Sequence, residues 1–540
     1  MAALELSRRL TRRDVLAGLG ALAAGACRRS PGPPPIRGAI VGGAHRRGHR
    51  LRERASAAPD SWERTSVAIV GAGVAGLSAA WALDRAGVGD FLVLELEDAP
   101  GGTARAGEGA VTPYPWGAHY VPVPDPGNRA LVALLEEAGA VAGRDPAGRP
   151  VYAEDVLCRD PQERLFVRGE WYEGLYPRVA ATAADLADLA AFEADMRRWA
   201  GWRDERGRRA FDLPRARGTD APEIRALDGI SMDRYLRDRG WGSERLRWFV
   251  EYGCRDDFGA TLAQTSAWAG IHYFAARLGD SGHAADFLTW PEGNGRLVSR
   301  LAGRAGSRVR TQATVRRVTP HPRGVDVVYH DEREGRLRGI HAEHAVLALP
   351  RFLAGYVVDG GPRPGAGAVY GSWMVANLTL RDRPESRGFP LAWDNVLYGS
   401  PSLGYVVATH QQGRDYGPTV FTYYLPLLDE DPRIARQRML ATPWEAWVAA
   451  ILADLGPAHG GLADLVETVD VYLWGHAMVR PQPGSLWSDS LAAAGRPLGR
   501  LHFAHTDLSG MALFEEAQYW GVRAAEAILT DRGERFQSWL

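Results

Sequence analysis

The stretch SVAIVGAGVAGLSAAWALDRAG, residues 66–87, constrains the fold more than any other part of the chain. Val67 to Val70 predict a short strand. Gly71, Gly73 and Gly76 follow, then an Ala-rich helix to about Ala86, with Gly87 placed to end it. A second apolar strand, Phe91 to Leu94, runs into Glu95. Strand, glycine turn, helix, strand and acid are the parts of a dinucleotide cradle. Gly71 permits the turn, Gly73 lets a pyrophosphate approach the backbone, and Gly76 lets helix and strand pack closely. The helix N-terminus offers unpaired N–H groups and about half a positive charge to the diphosphate. Glu95 can accept hydrogen bonds from ribose hydroxyls, and its charge repels a 2′-phosphate.

A chain of 540 residues has room for more than this one unit. Its net charge of −1 gives no bulk field toward nucleic acid or an anionic membrane. All 64 basic residues are Arg, because the sequence contains no lysine. Schiff-base, lysine general-base and P-loop lysine chemistry are therefore excluded. The three cysteines, Cys27, Cys158 and Cys254, form no metal-type spacing and no disulfide framework. Cys158 and Cys254 are expected to be free and buried. His341 and His344, three apart in or beside a strand, are expected at the surface, and no metal site is expected.

The N-terminus reads LSRRLTRRDVLAGLGALAAGAC. Two Arg pairs precede an apolar run too short to span ~30 Å of hydrocarbon, which takes ~20 helical residues. A basic start, a short apolar core and small residues after it have the form of an export signal. TRRDVL resembles a twin-arginine signal, the route that carries folded proteins. That expectation makes the protein periplasmic or membrane-anchored and the export machinery a partner, with Cys27 as a candidate lipid acceptor. Residues 28–65, rich in Arg, Pro, Gly and Ala, read as a poorly ordered linker.

After Glu95 the chain continues LEDAPGGTAR, with Gly101 and Gly102 six residues past the acid. This resembles the flavin-containing amine oxidase superfamily, and the resemblance makes the ligand FAD, held non-covalently. Thr103 departs from the Arg that the motif often carries, and Arg105 is the substitute charge. PWGAHYVP resembles the next family segment, in which a Gly-Ala pair ending at Ala118 passes close to the flavin, with His119 following. The segment WPEGNGRLVSRLAG and the strands after it, to Pro350, resemble the return of the chain to the nucleotide domain. By that match Val315 contacts adenine through its backbone. RLHFAHTDLSGMALFEEAQYWGVRAAEAIL resembles the last motif, with Asp507 near the ribityl chain. Phe514 and Ala517 lie at the start of a helix whose N–H groups face the flavin.

The resemblance implies an α/β chain: a Rossmann-like FAD-binding domain split along the sequence, interleaved with an α+β substrate domain. The expected division is signal 1–27, linker 28–65, FAD-binding parts 66–150, 290–352 and 474–540, and substrate parts 151–289 and 353–473. Within 151–289, Leu186, Leu189, Phe192, Met196 and Trp199 form a core stripe, and Asp256, Asp257, Trp268, His272 and Tyr273 concentrate polar and aromatic groups. The expected activity is an exported FAD-dependent oxidoreductase moving a hydride from an amine to flavin N5. Many family members place a lysine beside N5. This chain has none, and His119 is the candidate to take over part of that role, with oxygen or another molecule as electron acceptor. A desaturase or dehydrogenase acting on a non-amine apolar substrate, and a non-catalytic flavoprotein, remain open.

Overall fold

The computed structural model describes residues 35–52, 57–278, 286–361, 368–428 and 431–540. The twin-arginine stretch and Cys27 lie outside these residues.

The first strand is longer than its apolar core. It runs Ser61–Val70, because the polar first half pairs with Arg336–Leu347 while only the second half is buried. Around it stands a seven-stranded sheet. Val309–Arg310, Phe91–Leu94, Ser61–Val70, Arg336–Leu347 and Leu501–Phe503 are parallel, and Gly324–Asp331 and Ala313–His321 extend the sheet antiparallel. The strands come from three distant parts of the chain. Their C-terminal ends carry Gly71, Glu95, the Ala348–Pro350 turn and Asp507 to one edge, where open α/β sheets bind ligands.

Helices Val74–Arg85 and Phe514–Asp531 pack together over this sheet. Contact is close because Gly521 lies against the Ala75 carbonyl, where a Cβ would come within 2.1 Å of the oxygen. Gly76 makes the helix-to-strand approach: its Cβ would stand 1.9 Å from the Gly71 oxygen.

The second sheet also has seven strands, in the order Val466–Val479, Tyr370–Leu380, Thr419–Leu427, Tyr405–Val407, Asp394–Leu397, Glu163–Val167, Glu170–Glu173. A helical layer, which includes Ala183–Gly201, Glu244–Phe258 and Ala267–Ala275, has its own apolar core. A Thr182–Asp185 capping box starts the first of these helices. Leu189, Phe192, Met196 and Trp199 are buried there, but Leu186 is 41% exposed, one turn too early to reach the core.

Three expectations need correction. Residues 35–52 are not a loose linker: Arg37 and Ile40 bridge to Thr468 and Val471 at the edge of the second sheet. His45–His49 then form a helix, and Leu51 is buried against the first sheet beside Leu94 and Val315. The boundary at 65/66 falls inside the first strand, and that at 473/474 inside Val466–Val479, since strand pairing continues through both. Finally, His344 is buried, with 2% exposure, while His341 is the partly exposed one, stacked on Trp62. Cys158 and Cys254 are buried and free. Among the described residues no helix is long and apolar enough to cross a membrane.

Candidate active site

At the sheet edge the two glycine turns meet. Gly71 has φ +100, a backbone state that an L side chain resists. Gly73 bridges to Gly101, and a Cβ added to Gly102 would lie 3.4 Å from the Gly73 Cα. Helix Val74–Arg85 has no side-chain cap, so its first N–H groups stay free for an anion. Glu95 is buried: one oxygen accepts from the Ala72 N–H at 2.7 Å, the other from the Glu97 N–H at 2.9 Å. Burial still raises its pKa against these two bonds.

Arg105 reaches Tyr472 and Asp98 through its terminal nitrogens, while its buried Nε has no hydrogen-bond partner. Val315 lies in Ala313–His321, two residues after Ala313, whose N–H donates to the Glu95 carbonyl. The buried Asp507 already accepts from Tyr370 Oη at 2.5 Å and from the Arg351 N–H at 2.9 Å, and faces His505 Nδ1 at 2.9 Å. Burial alone would raise its pKa, but these partners lower it and leave about one lone-pair direction for a sugar hydroxyl. The glycine cradle, the uncapped helix, the ribose-type acid and the orphaned Arg105 Nε fit FAD.

The segment Pro115–Tyr120 is pinned by its carbonyls. Those of Pro115, Trp116, Gly117, His119 and Tyr120 accept from Asn377, Trp474, Tyr424, Thr289 and Asn294 respectively. Asn377, Trp474 and Tyr424 stand on the second sheet, so this segment joins it to the cofactor cradle. A cavity opens beside it, lined by Ala118, His119, Trp373, Tyr424, Trp474 and Phe514 among others. Ala517 lies one turn along the same helix, buried against the core.

His119 lies within the cavity, its ring 4.8 Å from that of Tyr424 and 5.4 Å from that of Trp393. Burial takes its pKa down to about 4. It is therefore neutral near pH 7 and cannot supply the positive charge of an ammonium.

The charged lining is acidic. Asp256, Asp257 and Glu515 share the cavity with Arg277. Asp257 binds the Arg277 guanidinium through both oxygens, at 2.6 and 2.9 Å. Burial pushes Glu515 up to about 7, and burial with the neighbouring Asp257 raises Asp256. Trp268 and His272 belong instead to the helical core, where they stack on each other. Sequence reasoning missed Glu515, Arg277 and Trp373. The only signal for Glu515 was an acid on the first turn of a helix that must otherwise be buried.

Away from the cavity, His344, His502 and Asp531 bring donor atoms within 4.8 Å of one another. Arg500 lies 3.3 Å from His344, and Arg500 and Arg532 depress its pKa after burial does, so the surroundings disfavour a cation.

Residues 74–354 match the model of the flavin containing amine oxidoreductase family. A Mycobacterium tuberculosis protein carrying the name flavin-containing monoamine oxidase AofH is 30% identical over 268 residues, 48% of this chain. The match spans about half, 53%, of that relative's length. In fold the chain resembles putrescine oxidase bound to putrescine (TM-score 0.64, 20% identity, 87% of this chain and 100% of that one). It also resembles cyclohexylamine oxidase from Brevibacterium oxydans IH-35A (TM-score 0.61, 19% identity, 87% and 99%). A CLA-producing fatty acid isomerase from P. acnes shares the fold too (TM-score 0.58, 16% identity, 88% and 99%). The chain belongs to the flavin-containing amine oxidoreductase family, and FAD is its cofactor.

Proposed function

We propose that this protein is an exported FAD-dependent oxidoreductase that oxidises an amine. The observation that carries this reading is the acidic, aromatic-walled cavity at the flavin end of the FAD cradle. Acids attract an ammonium group, and the aromatic walls exclude the water that would compete with it.

When bound, FAD supplies the two-electron acceptor for a hydride from the carbon beside nitrogen. Gly71, Gly73, Gly76, Glu95, Gly101, Gly102, Arg105 and Asp507 would hold it, with Ala118, Phe514 and Ala517 around its ring end and Val315 near its adenine. Pro115–Tyr120, fixed by its five carbonyl bonds, holds the cavity wall in place. A substrate ammonium must lose a proton before hydride leaves. The Glu515 carboxylate, with its pKa about 7, is matched to take that proton near neutral pH. The imine product is hydrolysed by water.

Anaerobic mixing of the holoenzyme with a panel of mono-, di- and polyamines tests the reading: at least one class should bleach the flavin absorbance. If none does while dithionite does, the amine reading falls. Bleaching by an apolar non-amine would then establish the dehydrogenase or desaturase alternative. For export, residues 1–40 fused to a reporter should direct transport that is lost in the Arg12→Ala, Arg13→Ala double variant. Continued transport of that variant would remove the twin-arginine reading.

A further inference from the structure

A second cavity, of about 530 Å³, borders the strand Val466–Val479. This strand is the partition between the two cavities. Trp474 and Ala477 line the substrate cavity, Gly475 and His476 line the second one, and no lining residue is shared. The alternation changes here because the register with Tyr370–Leu380 slips: Gly475, His476 and Ala477 stand opposite Ser372 alone. Ser372 Oγ ties the slip by donating to the Gly475 carbonyl at 2.9 Å. The remaining walls come from the 35–52 segment, from Arg351–Val357, from the start of Tyr370–Leu380 and from Pro432–Ala441.

The cavity is apolar inside. Leu51 and Met439 are buried, while Phe352, Leu353, Tyr356 and Leu473 remain half-buried around the space. Its charge is positive, the reverse of the substrate cavity. Arg52 and Arg436 contact no carboxylate among the described residues. Arg436, half-buried, donates to the Tyr370 and Gly475 carbonyls, both at 3.4 Å. Among the described lining residues the acid is Asp431, and Arg433 already holds it at 3.1 Å. His476 stacks on Phe352 with ring centroids 4.4 Å apart. Burial takes its pKa down to about 4, and Arg436, His49 and Arg52 push it the same way. Two guanidinium groups without a carboxylate, at the edge of an apolar hollow, suit a planar anion carried on an apolar body.

We propose that this cavity binds an amphipathic anion, a carboxylate or phosphate head on an alkyl body, at a site separate from the substrate cavity. The head meets Arg52 and Arg436, and the body lies over Phe352, Leu353, Tyr356 and Leu473. Such an occupant stands beside two of the groups that hold Asp507. The Tyr370 carbonyl faces Arg436 while its hydroxyl donates to Asp507, and Phe352 follows Arg351, whose N–H also donates to Asp507. FAD and the substrate cavity are therefore the two rivals that the experiment must separate from this site.

The test uses full-length holoenzyme with FAD in excess, titrated calorimetrically with dodecanoate and with dodecyl phosphate. At least one of them should bind once per chain. Its Kd should be at least tenfold below those of dodecanol, which has the body without the charge, and butyrate, which has the charge without the body. The preferred head group tells a free carboxylic acid from a phosphate ester. Arg52→Gln and Arg436→Gln should each raise that Kd tenfold or more with flavin content unchanged. Arg277→Gln, which removes the cation of the substrate cavity, should leave it within twofold. Dodecanol binding as tightly as both anions would overturn the proposal. So would binding that Arg277→Gln weakens and the other two variants leave intact. Binding to the apoprotein that FAD abolishes would make the cavity part of the cofactor cradle and would also overturn it. Should Arg436→Gln not fold, the exposed Arg52 carries the same reading, and the comparison of the four ligands on the unsubstituted protein decides by itself.

Discussion

Glu163 and Glu515 each have a pKa raised from 4.5 to about 7, with burial the first cause in both. A carboxyl whose pKa is higher in the folded than in the unfolded state stabilises the protein below the unfolded value, and that contribution is lost as pH rises through the folded one. For Glu163 the window runs from about 4.5 to about 7, and the full span is worth roughly 3 kcal/mol. The substrate-free protein should therefore melt at a lower temperature at pH 8 than at pH 5. Glu163→Gln, which cannot ionise, should flatten that slope in a thermal-melt series. Glu515 acts on turnover in the opposite sense. Flavin reduction by an amine should rise with pH through about 7, and Glu515→Gln should lower the rate and abolish the rise. An unchanged profile would remove Glu515 as the proton acceptor. At the same scale, the absence of lysine and the neutrality of His119 leave no ammonium or imidazolium there to speed oxygen. The reduced flavin should reoxidise faster with an artificial electron acceptor than with air.

Residues 35–52 show how an element with no core of its own becomes part of a site. The Ala44 N–H donates to the Glu97 carboxylate, and Arg47 donates to the Leu96 carbonyl, on the two residues that follow Glu95. Arg50 pairs with Glu332 at 2.6 Å, and Leu51 seals the sheet beside Val315. The segment thus runs along the nucleotide side of the cradle. Leu51→Ala removes buried methyls at a cost of about 2–5 kcal/mol. It should speed FAD release at least tenfold, measured by the recovery of flavin fluorescence on dilution, with a much smaller change in the rate of flavin reduction. Release at the unsubstituted rate would show that the segment does not guard the cofactor. From sequence this element read as a linker, because its few apolar residues, Ile36, Ile40, Val41 and Leu51, follow no helix or strand period. Its order comes from the open edge of Val466–Val479, hundreds of residues away.

Over the whole molecule, the two sheets are registered through Pro115–Tyr120, whose carbonyls take donors from Asn377, Tyr424 and Trp474. Tyr424→Phe leaves the Gly117 oxygen without this donor, a loss of about 1–3 kcal/mol where the group stays buried. It should lower the melting temperature and slow flavin reduction together, because one bond serves both the wall and the sheet contact. A drop in stability with the reduction rate intact would show that the segment is not what positions the cavity.

The cofactor side was legible in sequence because it is local. Gly71, Gly73, Gly76 and Glu95 lie within 25 residues of one another, and their roles follow from backbone sterics, helix-end N–H groups and strand period. The split α/β architecture followed from motifs that each keep their own short spacing. The substrate side was not legible. Glu515 and Asp256 come from two helices more than 250 residues apart, and nothing in their spacing along the chain brings them together. Each alone reads as an ordinary surface acid. Only tertiary packing brings them into one cavity, beside Asp257, Arg277 and aromatic rings, because burial and charge pairing depend on which distant neighbours fill the space around a side chain.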